Sequence, residues 1–168
     1  MSLIVEDGTG TLASESYCSV AFADIYHANR NNIDWDTLGT TDKEAVLRKA
    51  TDYMVEAYRS LWKGYKVLAT QALDFPRQML YLVGEIPNNT TALSSTSVPL
   101  DIQKACAVLA LKAITDDLLI DTEQQVVKET IGPISTEYQP YANKYKHYTA
   151  VEAMLKPYLK SSSSTVIR

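Results

Sequence analysis

The chain has 168 residues, of which 46% are apolar and 21% charged, with a net charge of −4. That suits one ordinary globular domain with a real core. It excludes a span of roughly eighteen unbroken apolar residues, and it argues against a dedicated nucleic-acid binder.

The charge is uneven. Residues 1–42 carry seven acids and one base (−6), and residues 43–80 seven bases and four acids (+3). Residues 81–140 carry eight acids and three bases (−5), and residues 141–168 five bases and one acid (+4). An acidic first block and a basic last block are suited to attract each other between subunits. Simple solvation of these faces explains them equally well.

The opening "MSLIVEDGTG" has neither a basic leader nor a long apolar run, so no secretory signal is expected there. "LIV" reads as a short edge strand and "GTGT" (8–11) as loose chain. "GTGT" lacks the Gly-Lys-Ser/Thr ending of a phosphate loop. A first helix begins after Ser16 or Ser19, either of which can cap it, and ends in the turn-forming "NRNN" (29–32). Cys18 and Cys106 read as buried small apolar residues rather than a disulfide, consistent with synthesis in a cytoplasm.

A second helix is announced by "TDKE", a capping box with Thr41 as N-cap and Glu44 three residues on. Val46, Ala50, Tyr53, Met54, Ala57 and Leu61 form its apolar stripe, which Gly64 ends. Residues 69–89 are irregular, because Pro76 and Pro87 forbid a continuous helix. A third helix starts near Pro99 and runs from Leu100 to Leu119. It is apolar on almost every side, so it must be covered on every side. Either it is a central core helix, or Val108 and Leu111 complete a contact with the next subunit.

A β-hairpin follows near residues 125–138, with Gly132 and Pro133 at its corner. An isolated hairpin is marginal in water and needs a support. The last helix has a second expected capping box, Thr149 with Glu152, and Pro157 is expected to kink or shorten it. "SSSSTVIR" (161–168) has the composition of a flexible tail, and a frayed end is its simpler reading; Val166 and Ile167 suit it for docking. The chain thus reads as mainly α: a bundle of about four helices over residues 1–160 with one projecting hairpin, then a tail over 161–168.

No catalytic constellation, cofactor motif or metal-ligand spacing stands out. The two histidines, His27 and His147, form no zinc pattern, and there is no Gly-x-Ser-x-Gly. Asp116, Asp117, Asp121 and Glu123 read as a solvated acidic turn rather than a cation site. Among 11 tyrosines, Tyr138, Tyr141, Tyr145 and Tyr148 crowd one segment with Lys144, Lys146 and His147. Rings between bases can stack single-stranded nucleic acid. Tyrosine also favours protein interfaces, and the acidic total favours that reading.

"KATDYMVEAYRSLWKG", "ATQALDFPR", "VPLDIQKACAVLALKA" and "VKETIGPISTEY", in that order, resemble a family of tailed-phage head–tail connector or adaptor (head-completion) proteins. Some members are described as DnaT-like single-stranded-DNA-binding proteins. The resemblance runs from about Tyr17 to Leu159; Phe75 stands where the pattern suggests tryptophan.

It implies a non-enzymatic virion protein, made in the host cytoplasm and sited in the neck. There it would form a ring, commonly of twelve subunits, beneath the portal. DNA would pass through without specific binding, and no membrane or cofactor is involved. Expected partners are further copies, the portal protein and a downstream tail or stopper protein. The expected contact residues are Val108, Leu111, Ile131, Pro133, Ile134, Tyr138, Tyr141, Tyr145, Tyr148, Lys156, Val166 and Ile167. The hairpin would pair with a neighbour, and the segment from Tyr141 to Arg168 would reach the portal. The competing expectation is a single-stranded-DNA-binding replication accessory.

Overall fold

The computed structural model describes residues 2–82, 92–119, 126–130, 135–138 and 146–160, with backbone alone over 126–130 and 135–138. The fold is mainly α. In chain order, α1 spans Val20–Ala28, α2 Ile33–Asp36 and α3 Thr40–Tyr58; β1 is Tyr65–Lys66 and β2 Arg77–Gln78. Then come α4 (Leu100–Lys112), β3 (Val126–Thr130), β4 (Ser135–Tyr138) and α5 (Thr149–Leu155), which runs into a 3₁₀ turn at Lys156–Tyr158. Strands β3 and β4 form the expected antiparallel hairpin, with an irregularity between Val126 and Lys128. The tail at 161–168 lies outside the described residues.

Helix α1 starts where Ser19 accepts a hydrogen bond from the Phe22 N–H. The two expected capping boxes do not form. Helix α3 begins two residues early, at Thr40, behind an extended Gly39 that offers no side-chain cap. Glu44 turns along the helix to Arg48 instead. Helix α5 likewise takes Thr149 as its first residue behind Tyr148, and the Glu152 carboxylate is drawn to His147 Nδ1. In both places a nearby side-chain partner, Arg48 or the His147 ring, takes the carboxylate in place of the backbone N–H.

Helix α4 stops at Lys112, seven residues short of expectation, and tightens through a turn in which Asp116 N–H donates to the Lys112 carbonyl. Asp116 then pairs with Lys146 at 2.8 Å, which ties this turn to the segment entering α5. Pro157 ends α5 as expected, at the 3₁₀ turn. "LIV" makes a single bridge, Val5 to Ser16, rather than a strand.

Helix α4 is the centre of the body, packed by α1, α3 and α5. Ile102, Ala105, Cys106, Ala107, Leu109 and Ala110 are enclosed, while Val108 and Leu111 are half-buried against the same core. The central-core reading therefore accounts for most of this helix. Small residues at 105, 106, 107 and 110 let the surrounding helices approach closely, and each enclosed Leu or Ile contributes about 1.5–3 kcal/mol. Cys18 and Cys106 are both buried and free.

Two local devices escaped the sequence reading. Glu6, only 3% exposed, gathers the "GTGT" loop: Oε1 accepts from the Gly8 and Gly10 N–H groups at 2.9 and 2.8 Å, and Oε2 from the Ser14 hydroxyl at 2.8 Å. His27, fully enclosed between α1 and α4, has Nε2 3.1 Å from the Ala107 carbonyl and Nδ1 2.9 Å from the Asn32 amide. Asn32 donates to Nδ1, so Nε2 carries the proton and donates to the carbonyl.

Candidate functional site: a lysine-rimmed groove

Two of the resembling pieces, the Tyr58–Gly64 and Gln71–Arg77 runs, meet in one knot. In the Tyr58–Gly64 run, Tyr58 and Trp62 lie 5.7 Å apart between ring centroids, and Trp62 sits edge-on to Phe75 at 5.0 Å. Phe75 in turn contacts Tyr158 at 6.3 Å. Polar groups of the Gln71–Arg77 run turn inward to brace their own loop. Gln71 donates to the Leu73 and Pro76 carbonyls. Arg77 donates to the carbonyls of Lys63, Gly64 and Asp74. Asp74 is fully enclosed, and its carboxylate is compensated by Arg59 at 3.5 Å and Lys66 at 3.4 Å. Gln71 and Arg77 are structural, because buried polar groups must find partners, while the Asp74 carboxylate accepts no hydrogen bond and relies on its ion pairs.

The chain after α3 is stitched to the chain after α5. Lys63 N–H donates to the Tyr158 carbonyl (2.9 Å) and Lys160 N–H to the Leu61 carbonyl (2.8 Å). Between these segments lies an open groove of about 680 Å³. Tyr58, Leu61, Ala153 and Leu159 give it an apolar floor, and Lys63, Lys156 and Lys160 give it a basic rim. Lys63 Nζ donates to the Pro157 carbonyl at 2.7 Å and Lys160 Nζ to the Ser60 carbonyl at 3.1 Å. Two of the three ammonium groups are thus anchored at the rim. His147 and Glu152, paired with each other, also line the groove.

A smaller cleft of about 230 Å³ brings Val108 and Tyr148 together, with Lys112, Thr149 and Val151 beside them. Tyr148 packs edge-on to Tyr53 at 5.4 Å, and burial pushes both phenols above their usual range. Tyr148 is therefore a packing residue rather than a free stacking platform. Lys156 lines the larger groove. Tyr138 lies in β4. Ile131, Pro133, Ile134, Tyr141, Tyr145, Val166 and Ile167 lie outside the described residues. Helix α5 packs on α4, and Tyr53 donates to the Lys146 carbonyl, so residues 146–160 are part of the body. The groove itself was missed because its walls are about ninety residues apart in sequence; basic residues flanking apolar ones at 61–63 and 156–160 were the available signal.

Asp116 of the acidic turn is held by Lys146, and Asp121 and Glu123 lie outside the described residues. Among the described residues no three His, Cys, Asp or Glu side chains come together to hold a metal ion, and no helix is long and apolar enough to cross a membrane. No curated protein and no solved structure matches the chain significantly. A family match does, over residues 1–168, and the chain belongs to that family, described as "Putative DnaT-like ssDNA binding protein".

Proposed function

We propose that this protein is a non-enzymatic structural protein of a tailed-phage virion, a head–tail adaptor that joins copies of itself and neighbouring proteins around the path of DNA. The observation that carries this reading is where the apolar and aromatic side chains lie. Tyr17, Tyr53, Tyr58 and Tyr158 are inside, while Leu12, Ile25, Ile33 and Met79, together with the ring of Tyr65, each stand more than 60% exposed. Such a surface suits contacts with proteins. The resemblance from Tyr17 to Leu159 supports the neck of the virion as its place, beneath the portal, and the net charge of −4 suits a conduit that must release DNA. The test is sedimentation of the purified protein with portal particles. Co-sedimentation is expected; its absence, at concentrations where both partners remain soluble, overturns the reading. Deleting residues 161–168 then asks whether the tail contributes to that contact.

A second reading, single-stranded-DNA binding, is favoured by the family description more directly than the first. Lys63, Lys66 and the exposed ring of Tyr65, with Lys156 and Lys160 nearby, form the surface such a strand would use. Fluorescence anisotropy with a labelled oligonucleotide across a salt series separates the two. Submicromolar affinity at moderate salt, falling steeply as salt rises, would establish the second reading. Weak binding with a shallow slope belongs to the first.

A further inference from the structure

We infer that the lysine-rimmed groove is the socket for the α1–α2 end of a second copy of this chain, giving a head-to-tail contact. This deepens the adaptor reading and rests on its premise that copies join. The groove offers an apolar floor, Leu61 and Leu159, under three cations, Lys63, Lys156 and Lys160. The α1–α2 end offers the converse. Ile33 is 64% exposed and Ile25 65%. Asp34 and Asp36 stand exposed on the same short helix as Ile33, with Asp36 three residues on and so on the same face.

The two faces cannot meet within one copy. Helix α2 leads into the N-terminus of α3, and Asp24 and Lys43 hold the two ends of that corner together at 2.8 Å. Tyr58, at the opposite end of α3, lines the groove. Nineteen helical residues separate them, about 28 Å at 1.5 Å per residue. Each copy therefore carries a knob at one end and a socket at the other. A contact between unlike patches is heterologous and propagates to a ring or an open chain, whereas a two-fold contact would stop at a dimer.

A protein occupant suits the groove better than a nucleic-acid strand. Its apolar lining is Leu61, Ala153 and Leu159 with Tyr58, the His147 ring beside them is paired with Glu152, and two of the three lysine ammoniums already hold backbone carbonyls. Opposite charge at the rim then orients the partner and speeds its approach.

The test uses the full chain without portal, so that its failure is separate from a failure of portal binding. A socket variant carries K63S, K156S and K160S; a knob variant carries I33S, D34N and D36N. Circular dichroism checks that both fold. Sedimentation velocity at low salt is expected to show concentration-dependent assembly of the wild-type chain and at least about tenfold weaker assembly of either variant alone. An equal mixture of the two variants is expected to give a dimer and nothing larger, because only one knob and one socket remain intact. Three outcomes would each overturn the proposal: a wild-type chain that stays monomeric at millimolar concentration, variants that assemble like the wild type, or a socket variant that loses oligonucleotide binding while assembling normally.

Discussion

Arg59 and Asp74 face each other at 3.5 Å across a burial boundary: the guanidinium is 56% exposed, the carboxylate wholly enclosed. With Lys66 at 3.4 Å, it supplies the cationic side of an anion that lies in the aromatic knot. Removing the two cations leaves the buried charge with only the more distant influence of Arg77. The double variant R59M/K66M is expected to lose about 3 kcal/mol of stability, read by urea denaturation. Adding D74N to that pair is expected to recover part of the loss, because the stranded charge goes with it.

Gly64 is expected to tolerate no side chain. Its φ is +65°, and a Cβ there would stand 2.4 Å from the Gln78 carbonyl oxygen. Gly64→Ala should cost roughly 2 kcal/mol from the left-handed backbone and displaced strand together. Gly39→Ala is the control, since its nearest neighbour to a new Cβ is Asp42 at 3.6 Å and its backbone is ordinary. It should stay within about 1 kcal/mol of the wild type.

Acid should weaken the fold before the carboxylates titrate. Burial lowers the His27 pKa below 6.5 in the folded protein, more than the Ala107 carbonyl raises it. The unfolded chain then binds a proton that the folded chain refuses, so stability falls as pH drops below about 6.5. A second decline is expected lower down, near the ordinary carboxylate range. There desolvation raises the Asp24 pKa, but hydrogen bonds from Lys43 and Trp35 more than offset it, and the net shift is downward. Asp24 therefore stabilises above that range and ceases to as pH falls through it. Thermal melts from pH 8 to pH 3 should show both steps, and His27→Gln should flatten the upper one.

Glu6→Gln keeps the shape of the side chain and removes its charge. Oε1 serves two backbone N–H groups and Oε2 a hydroxyl, so an amide group places a donor where an acceptor is needed. A loss of about 1.5–3 kcal/mol is expected, and hydrogen exchange at the Gly8 and Gly10 amides should quicken.

The helices were legible because their cues are local. Ser19 caps α1, Pro99 precedes α4 and Pro157 ends α5, each through its own backbone or side chain. The capping boxes at Thr41 and Thr149 misled because an ion pair and a histidine captured the glutamates, and neither competition is visible in a four-residue motif. Helix α2 went unread because four residues carry no period. The hairpin was legible from its alternation about Gly132 and Pro133. The groove was not, since it needs Leu61 and Leu159 side by side, and no local pattern reports a pairing across so long a stretch of chain.

The seam joining Leu61 and Lys63 to Tyr158 and Lys160 has a consequence for how the protein is made. Trp62 and Phe75 emerge from the ribosome long before Tyr158 and Leu159, so until synthesis is almost complete their cover comes from Tyr17, Tyr58 and each other and lacks its last side. A product cut short before Tyr158 lacks that last side of the cover and both backbone hydrogen bonds of the seam.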